Sequence, residues 1–402
     1  MCEEHGNQDR QHKENLGSSR REFMKAGAIL ATTTLLTGVS ANAQATEGGN
    51  AVGNTPFSTK AYGVTGPTER FQSLTIERRA LRPNDVLIDI MYCGICHSDI
   101  HIARSEWGPA NYPCVPGHEI IGRVMAVGSK VKKFKVDDIA GIGCIVDSCG
   151  SCDYCTADLE QYCDDWTLVF NAPDKISGGY TYGGFSDKIV VQEHYAVRIP
   201  PGVDLPAMAP LLCAGITTFS PIQHWKVESG QKVGVIGLGG LGHLAVKLAV
   251  SRKADVTVFT TSPGKISAAK DLGAREAVLW SDTEAMTRRA SQFDLLISTV
   301  PKGYPMNQFL NLLRVDATLV NVGALDQLED IPGGALISRR RNLAGSVIGG
   351  IAETQEVVDY CTAHNIKADI ELIKPRQISE AFDRVVNKDV RYRFVIDLTA
   401  NS

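Results

Sequence analysis

Read for the spacing of apolar and polar positions, the chain changes character several times. Met1 to Lys25 is polar and charged, and Ala26 to Val39 then carries no charge. Residues 44–55 are small and polar, rich in Gly and Asn and without period, which predicts a flexible lead-in. From Ala61 to about Arg198, short runs such as Asp85–Met91 and Asp187–Val191 alternate with Gly, Pro and Cys clusters, so this half is predicted to be mainly strand and loop. From about Pro206 to Ile348 the period lengthens. Apolar strands at Lys232–Ile236 and Asp255–Thr260 are separated by helical stretches at Leu241–Ser251 and Lys265–Leu272. That alternation predicts βαβ units and a doubly wound parallel sheet. Beyond Gly350 the pattern predicts helices at Thr354–His364 and Ser379–Val386 and a closing strand at Tyr392–Leu398.

Length turns this pattern into an organisation. At roughly 150 residues per domain, 402 residues hold two to three domains. The divisions predicted are a leader (1–43), a lead-in (44–55), a β-rich domain (56–202), the parallel-sheet domain (203–347) and a return segment (348–402). With 44% hydrophobic and 21% charged residues the chain is expected to fold as an ordinary soluble protein. Lys and Arg number 41 against 45 Asp and Glu, so no basic excess argues for nucleic acid as partner, and a small molecule is expected instead. Eleven cysteines are too few to staple this length, and most fall between Cys93 and Cys213, which points to metal ligation.

The leader has its own chemistry. The uncharged run Ala26–Val39 is shorter than the ~20 residues that span a bilayer, so a permanent membrane anchor is not expected, and Ala41-Asn42-Ala43 fits a signal-peptidase site. Ser19-Arg20-Arg21-Glu22-Phe23-Met24-Lys25 precedes it and resembles the twin-arginine (Tat) signal. Export to the periplasm by the Tat machinery is the expectation, with an uncleaved cytoplasmic extension as the alternative.

Lys232–Ile236 leads into Gly237-Leu238-Gly239-Gly240-Leu241-Gly242, followed by helical spacing. Between a strand and a helix, such glycines let backbone N–H groups and the helix N-terminus approach a pyrophosphate, the signature of a Rossmann dinucleotide site. The next strand should end in Asp or Glu if a free ribose 2′-OH were bound. It ends in Thr260-Thr261-Ser262 with Lys265 close behind. Hydroxyls and a cation in that place suit a 2′-phosphate, so Thr261, Ser262 and Lys265 predict NADP(H).

Cys149, Cys152, Cys155 and Cys163 pack four thiols into 15 positions. Such spacing lets a turn aim successive sulfurs at one tetrahedral Zn²⁺, which predicts a structural zinc lobe. An iron–sulfur cluster and disulfides are the alternatives. A second, discontinuous set runs Cys93-Gly-Ile-Cys96-His97-Ser98-Asp99-Ile-His101, then Pro116-Gly-His118-Glu119, then Cys213-Ala-Gly-Ile-Thr217-Thr218.

Through these motifs, the glycine turn with His243, and Ile348-Gly-Gly-Ile-Ala-Glu-Thr-Gln355, the chain from about Tyr62 to Leu398 resembles the zinc-dependent medium-chain alcohol dehydrogenases. It is similar in particular to the cinnamyl-alcohol-dehydrogenase-like branch of bacterial NADPH aldehyde reductases. The resemblance implies a GroES-like catalytic domain beside the Rossmann domain, and a homodimer. It implies a catalytic zinc on Cys96, His118 and Cys213, in addition to the structural one, with Glu119 beside the metal and Asp99 orienting His118. Ser98 and His101 match its proton relay, and Thr217 matches a cofactor contact. The glycine-turn residues Gly237, Gly239, Gly240, Leu241 and Gly242 match its dinucleotide site. Trp107 and Trp166 are candidates for the substrate pocket. Cys93, Cys114 and Cys144 read as small buried residues, and His97 as either a phosphate contact or a surface residue.

These readings predict reversible hydride transfer between NADP(H) and a primary alcohol or aldehyde, with aldehyde reduction favoured and broad or aromatic specificity. A polyol or short aliphatic alcohol dehydrogenase on the same scaffold is the near alternative. A non-catalytic zinc- and NADP(H)-binding sensor, or a nucleic-acid-binding protein, is the distant one.

Overall fold

The computed structural model describes residues 55–323 and 327–399. The export signal expected over 1–43 lies outside them, as does all but the last residue of the expected lead-in.

Two sheets carry the described chain. The first is a seven-stranded mixed sheet built from Asp85–Gly94, Ile120–Val127, Ile139–Ile142, Lys188–Gln192 and Ala196–Arg198, completed by Ile370–Ile373 and Arg393–Asp397. Its long strand Asp85–Gly94 is mostly buried and pairs antiparallel with Ile120–Val127, Lys188–Gln192 and Arg393–Asp397. A hairpin, Phe57–Gly63 with Gln72–Arg78, flanks this β-rich half.

The second sheet has six parallel strands in the spatial order 276–279, 255–260, 232–236, 293–298, 313–321, 342–345. In chain order within the sheet this is 3-2-1-4-5-6, the doubly wound arrangement whose order reverses beside the first strand. Lys232–Ile236 and Asp255–Thr260 fall on the residues that the apolar pattern predicts, because strands covered on both faces read as short continuous apolar runs. The helix after the glycine turn runs Gly242–Ser251.

The closing strand returns from the parallel-sheet half to the mixed sheet, where Val395 pairs with Gly94 and Ile396 with Cys93. One core cluster is continuous across the two halves, from Val86 and Ile120 through Leu211 and Phe219 to Val233 and Leu244. Between the sheets, Leu205–Leu212 and Ala214–His224 meet at a bend of 57°. Cys213 stands at that bend, so its thiol is fixed by a buried corner of backbone. Among the described residues no single helix is long and apolar enough to cross a membrane.

Candidate active site

Strand ends and one corner converge three donors. Cys96 opens the helix His97–Ala103, directly after the strand Asp85–Gly94. His118 precedes the strand Ile120–Val127, in a loop that turns at Gly117 with φ +109°, where a side chain would run into Phe185. Cys213 supplies the third donor from its bend. Cys96 Sγ lies 3.9 Å from Cys213 Sγ, and His118 Nε2 lies 3.3 Å from the same sulfur. The ligand atoms of Cys96, His118, Glu119 and Cys213 all fall within 4.8 Å of one another, and all four residues are buried.

Two sulfurs on a tetrahedral zinc stand about 3.8 Å apart, given Zn–S bonds of about 2.3 Å, so the observed spacing fits the ion. Two buried thiols and a buried imidazole fit it chemically as well. The Cys96 thiol is held well below its ordinary pKa by the hydrogen bond from Cys213, with Arg393 and His118 adding positive charge against the cost of burial. Cys213 is correspondingly raised, through Cys144 first and Cys96 second. Cys144 is partly buried against the large core, and its pKa is lowered, the Cys213 thiol being the first cause. Cys93 and Cys114 are fully buried, as expected of small core residues.

Asp99 organises the cluster. Fully buried, it accepts from Cys96 N at 2.8 Å, Gly117 N at 2.9 Å and His118 Nδ1 at 2.9 Å. The last bond requires the proton on Nδ1 and turns the lone pair of Nε2 toward the sulfurs. Burial opposes a charged His118 ring, but Asp99 together with the Cys144 and Cys96 sulfurs raises its pKa, so without metal the ring holds a second proton on Nε2 that a metal ion would displace.

Glu119 is fully buried beside His118 and forms an ion pair with Arg393, itself 3% exposed. Glu119 Oε2 and Arg393 Nε make no hydrogen bond. Arg393 also crosses the glycine turn, since a side chain at Gly240 would meet its Cδ and Nη1. Sequence reasoning missed Arg393, because nothing around an arginine in a short closing strand signals that it spans two sites.

Three further residues were missed. Glu106 Oε2 lies 2.5 Å from His101 Nδ1, and Phe170 stacks on His118 with ring centroids 5.7 Å apart. Thr299 Oγ1 donates to the carbonyls of Ile236 and Gly237 at 3.0 and 3.2 Å, closing the glycine turn. Each depends on tertiary placement, and only the loop position of Glu106, five residues after His101, was visible in sequence.

Ser98 Oγ is 3.8 Å from Cys96 Sγ. Among the described residues no hydrogen bond joins Ser98 to His101. His97 is half-buried, with burial the main cause of a lowered pKa, and its ring centroid lies 6.1 Å from that of His101. Trp107, 46% exposed, stacks on His101 at 4.7 Å. Trp166 packs against the large core just after the four-cysteine lobe, and no hydrogen bond or ring contact joins it to the Cys96–His118–Cys213 group.

In the dinucleotide half, Gly237 has φ +92°, which favours glycine, and its N–H donates to Phe259 O at 2.8 Å. A side chain at Gly242 would strike the Gly237 carbonyl, whereas Gly239 faces open space. Lys265 Nζ reaches back to Leu238 O at 2.7 Å, so it is a half-buried neighbour of the turn and not a freely solvated lysine. Burial lowers its pKa. Thr261 is exposed and Ser262 half-buried beside it, with Ser262 N donating to Thr260 Oγ1 at 3.1 Å. Thr217 is 6% exposed, one helical turn beyond Cys213.

Cys149, Cys152, Cys155 and Cys163 form the second group of metal-type donors, with Cys149 Sγ and Cys155 Sγ 3.8 Å apart. Backbone N–H groups point at the sulfurs: Cys152 N at Cys149 Sγ (3.3 Å), Cys155 N at Cys152 Sγ (3.5 Å) and Asp165 N at Cys163 Sγ (3.3 Å). The N–H groups of Ser151 and Cys152 pull the exposed Cys149 thiol down to about 6. Such N–H donors favour thiolates, the form a zinc ion binds.

Fold and donor sets together define a dinucleotide-linked zinc dehydrogenase. Residues 82–201 match the alcohol dehydrogenase GroES-like domain and residues 240–363 the zinc-binding dehydrogenase family. The chain belongs to the zinc-dependent alcohol dehydrogenases. It is 51% identical over 339 residues to the NADP-dependent alcohol dehydrogenase C 1 of Mycolicibacterium smegmatis, covering 84% of this chain and 97% of that one. It is 50% identical over 340 residues to the aldehyde reductase YahK of Escherichia coli, covering 84% and 97%. Among solved structures, a CAD from Helicobacter pylori complexed with NADP(H) superposes with a TM-score of 0.82 at 39% identity, covering 87% of this chain and all of that one. The cinnamyl alcohol dehydrogenase SbCAD4 of Sorghum bicolor gives 0.83 at 39% identity, covering 86% and 99%.

Proposed function

We propose that this chain is an NADP(H)-dependent zinc alcohol dehydrogenase that acts chiefly as an aldehyde reductase. The observation that carries the reading is the buried Cys96–His118–Cys213 set, linked through Glu119 and Arg393 to the glycine turn. Bound at these places, zinc supplies Lewis acidity to a carbonyl oxygen, and a nicotinamide dinucleotide supplies hydride. Asp99 keeps His118 in the ligating tautomer, and Arg393 balances the carboxylate of Glu119. Ser98 Oγ, beside Cys96, exchanges the proton of the substrate oxygen. His101, its Nδ1 held by Glu106, is the next acceptor or donor, and the proton needs a bridging group to reach it from Ser98. Thr261, Ser262 and Lys265 hold the 2′-phosphate, Thr217 contacts the cofactor, and Cys149, Cys152, Cys155 and Cys163 hold the structural zinc.

The test is NADPH oxidation across aromatic and aliphatic aldehydes. Turnover led by aromatic aldehydes supports the proposal, preference for polyols or short aliphatic alcohols transfers it to the near alternative, and no turnover with bound NADPH returns it to a sensor. Two further proposals rest on less. The exposed edge strand Asn342–Gly345 supports a homodimer, and Arg20-Arg21 with Ala41-Asn42-Ala43 supports Tat export to the periplasm.

A further inference from the structure

His243 follows the last glycine of the turn, yet it is fully buried and its ring does not face the open side of that turn. The ring lies flat on Tyr392, with centroids 4.7 Å apart and planes 4° from parallel. Its Nε2 lies 3.3 Å from the backbone N of Asp369, and its Nδ1 lies 3.3 Å from Gly239 O, adding a second donor to a carbonyl that also accepts the His243 backbone N–H at 3.0 Å. A backbone N–H only donates, so Nε2 accepts, and Nδ1 therefore carries the proton and donates to Gly239 O. Both ring nitrogens are thus committed, one to the glycine turn and one to the return segment. Burial, helped by Lys247, lowers the pKa to about 4, which keeps the ring neutral at working pH.

The contacts continue in one direction. Tyr392 precedes Arg393, which pairs with Glu119 next to His118 and crosses Gly240. One helical turn on, Lys247 Nζ binds Lys367 O and Asp369 Oδ1, each at 2.8 Å. The seam between the helix Gly242–Ser251 and the return segment is therefore polar, specific and anchored at the turn.

We propose that His243 is a positioning residue for the dinucleotide: it fixes the Gly239 peptide, and so the direction of the glycine-turn N–H groups. Through Tyr392 it also holds that turn in register with Arg393 and the metal-ligand set. This rests on the dinucleotide reading above. The predicted signature is a change in cofactor affinity without loss of metal, because the ring's hydrogen bonds go to the glycine turn and the return segment and none goes to Cys96, His118 or Cys213.

The experiment compares wild type with His243→Phe, which keeps the ring on Tyr392 and loses both hydrogen bonds. It includes His243→Asn, whose amide still reaches Gly239 O, and Tyr392→Leu, which removes only the stack. Zinc content, thermal midpoint, the dissociation constant for NADPH by fluorescence titration, and kcat and KM are measured on each. His243→Phe is expected to weaken NADPH about tenfold, which equals ~1.4 kcal/mol, with zinc retained and kcat reduced less than about threefold. His243→Asn is expected to recover most of that loss. A His243→Phe protein that melts lower but binds NADPH like wild type overturns the proposal in favour of simple packing. If His243→Phe does not fold, Tyr392→Leu decides, with NADPH expected to weaken at least about threefold and unchanged affinity overturning it. A wild type that binds neither NADPH nor NADH overturns the dinucleotide reading, and this inference with it.

Discussion

Asp99 serves three donors with one carboxylate, and two of them belong to metal-type ligands. Asp99→Asn keeps its size but turns an N–H toward the Cys96 or Gly117 amide, setting donor against donor. Zinc affinity is expected to fall about 10- to 100-fold, measured by competition with a chromogenic chelator, and the thermal midpoint of the zinc-free protein is expected to fall as well, because a buried donor is left unsatisfied. The two thiol groups should separate under parallel substitutions. Cys96→Ser is expected to lose one of two zinc ions and essentially all turnover while remaining folded. Cys152→Ser is expected to lose the other zinc and to lower the thermal midpoint, since the lobe has few buried side chains of its own. Elemental analysis with melting curves checks both. At the strand end, Thr261→Asp places a carboxylate where a 2′-phosphate would lie. The ratio of kcat/KM for NADPH over NADH should fall by at least about tenfold, equivalent to ~1.4 kcal/mol of repulsion.

Elements whose neighbours in sequence are their neighbours in space were readable in advance. The strands Lys232–Ile236 and Asp255–Thr260 and the turn between them were, because apolar runs and glycines act locally. The helix expected at Thr354 instead begins at Ile351. Its first N–H is met from outside, by Glu160 Oε2 accepting from Ile351 N at 3.1 Å, and Glu160 belongs to the four-cysteine lobe. No residue before Thr354 announces a cap supplied from almost 200 positions away. The Cys96, His118 and Cys213 set was legible only by resemblance, since three donors on three separate elements have no spacing to read. Contacts such as Arg393 with Glu119 were not legible at all.

The strand Asp85–Gly94 opens on a similar dependence. Asp85 is fully buried and accepts from Arg79 Nη2 at 3.1 Å and Arg82 N at 2.7 Å, with Arg79 Nη1 also against it. Burial pushes its pKa up, but the bonds from Arg79 and Arg82 prevail and the pKa is lowered. A carboxylate depressed in the folded state stabilises above its unfolded pKa of about 3.9 and loses that contribution as pH falls through the folded value. Asp85→Asn should therefore cost about 2–3 kcal/mol at pH 7, read by urea unfolding, and the gap to wild type should narrow below pH 4. A gap independent of pH would assign the loss to packing.

At the scale of the whole molecule, one continuous core joins two sheets of different origin in the chain. If Arg20 and Arg21 direct export, wild type should reach the periplasm beginning at Gln44 and an Arg20→Lys, Arg21→Lys double variant should not. Cell fractionation and N-terminal sequencing decide it, and retention of both proteins in the cytoplasm, uncleaved, refutes export.

The strand Arg393–Asp397 is among the last parts of the described chain to be synthesised, yet it pairs with Asp85–Gly94 from the first half and brings the cation that faces Glu119. A ribosome making this protein has therefore finished the donors Cys96, His118 and Cys213 long before the countercharge of their neighbour exists. The growing chain thus carries a metal-binding half with an uncompensated negative charge for the time needed to add some 180 residues after Cys213. The pairing of Arg393 with Glu119, and with it the docking of the closing strand on Asp85–Gly94, is therefore among the last contacts this neighbourhood can acquire during synthesis.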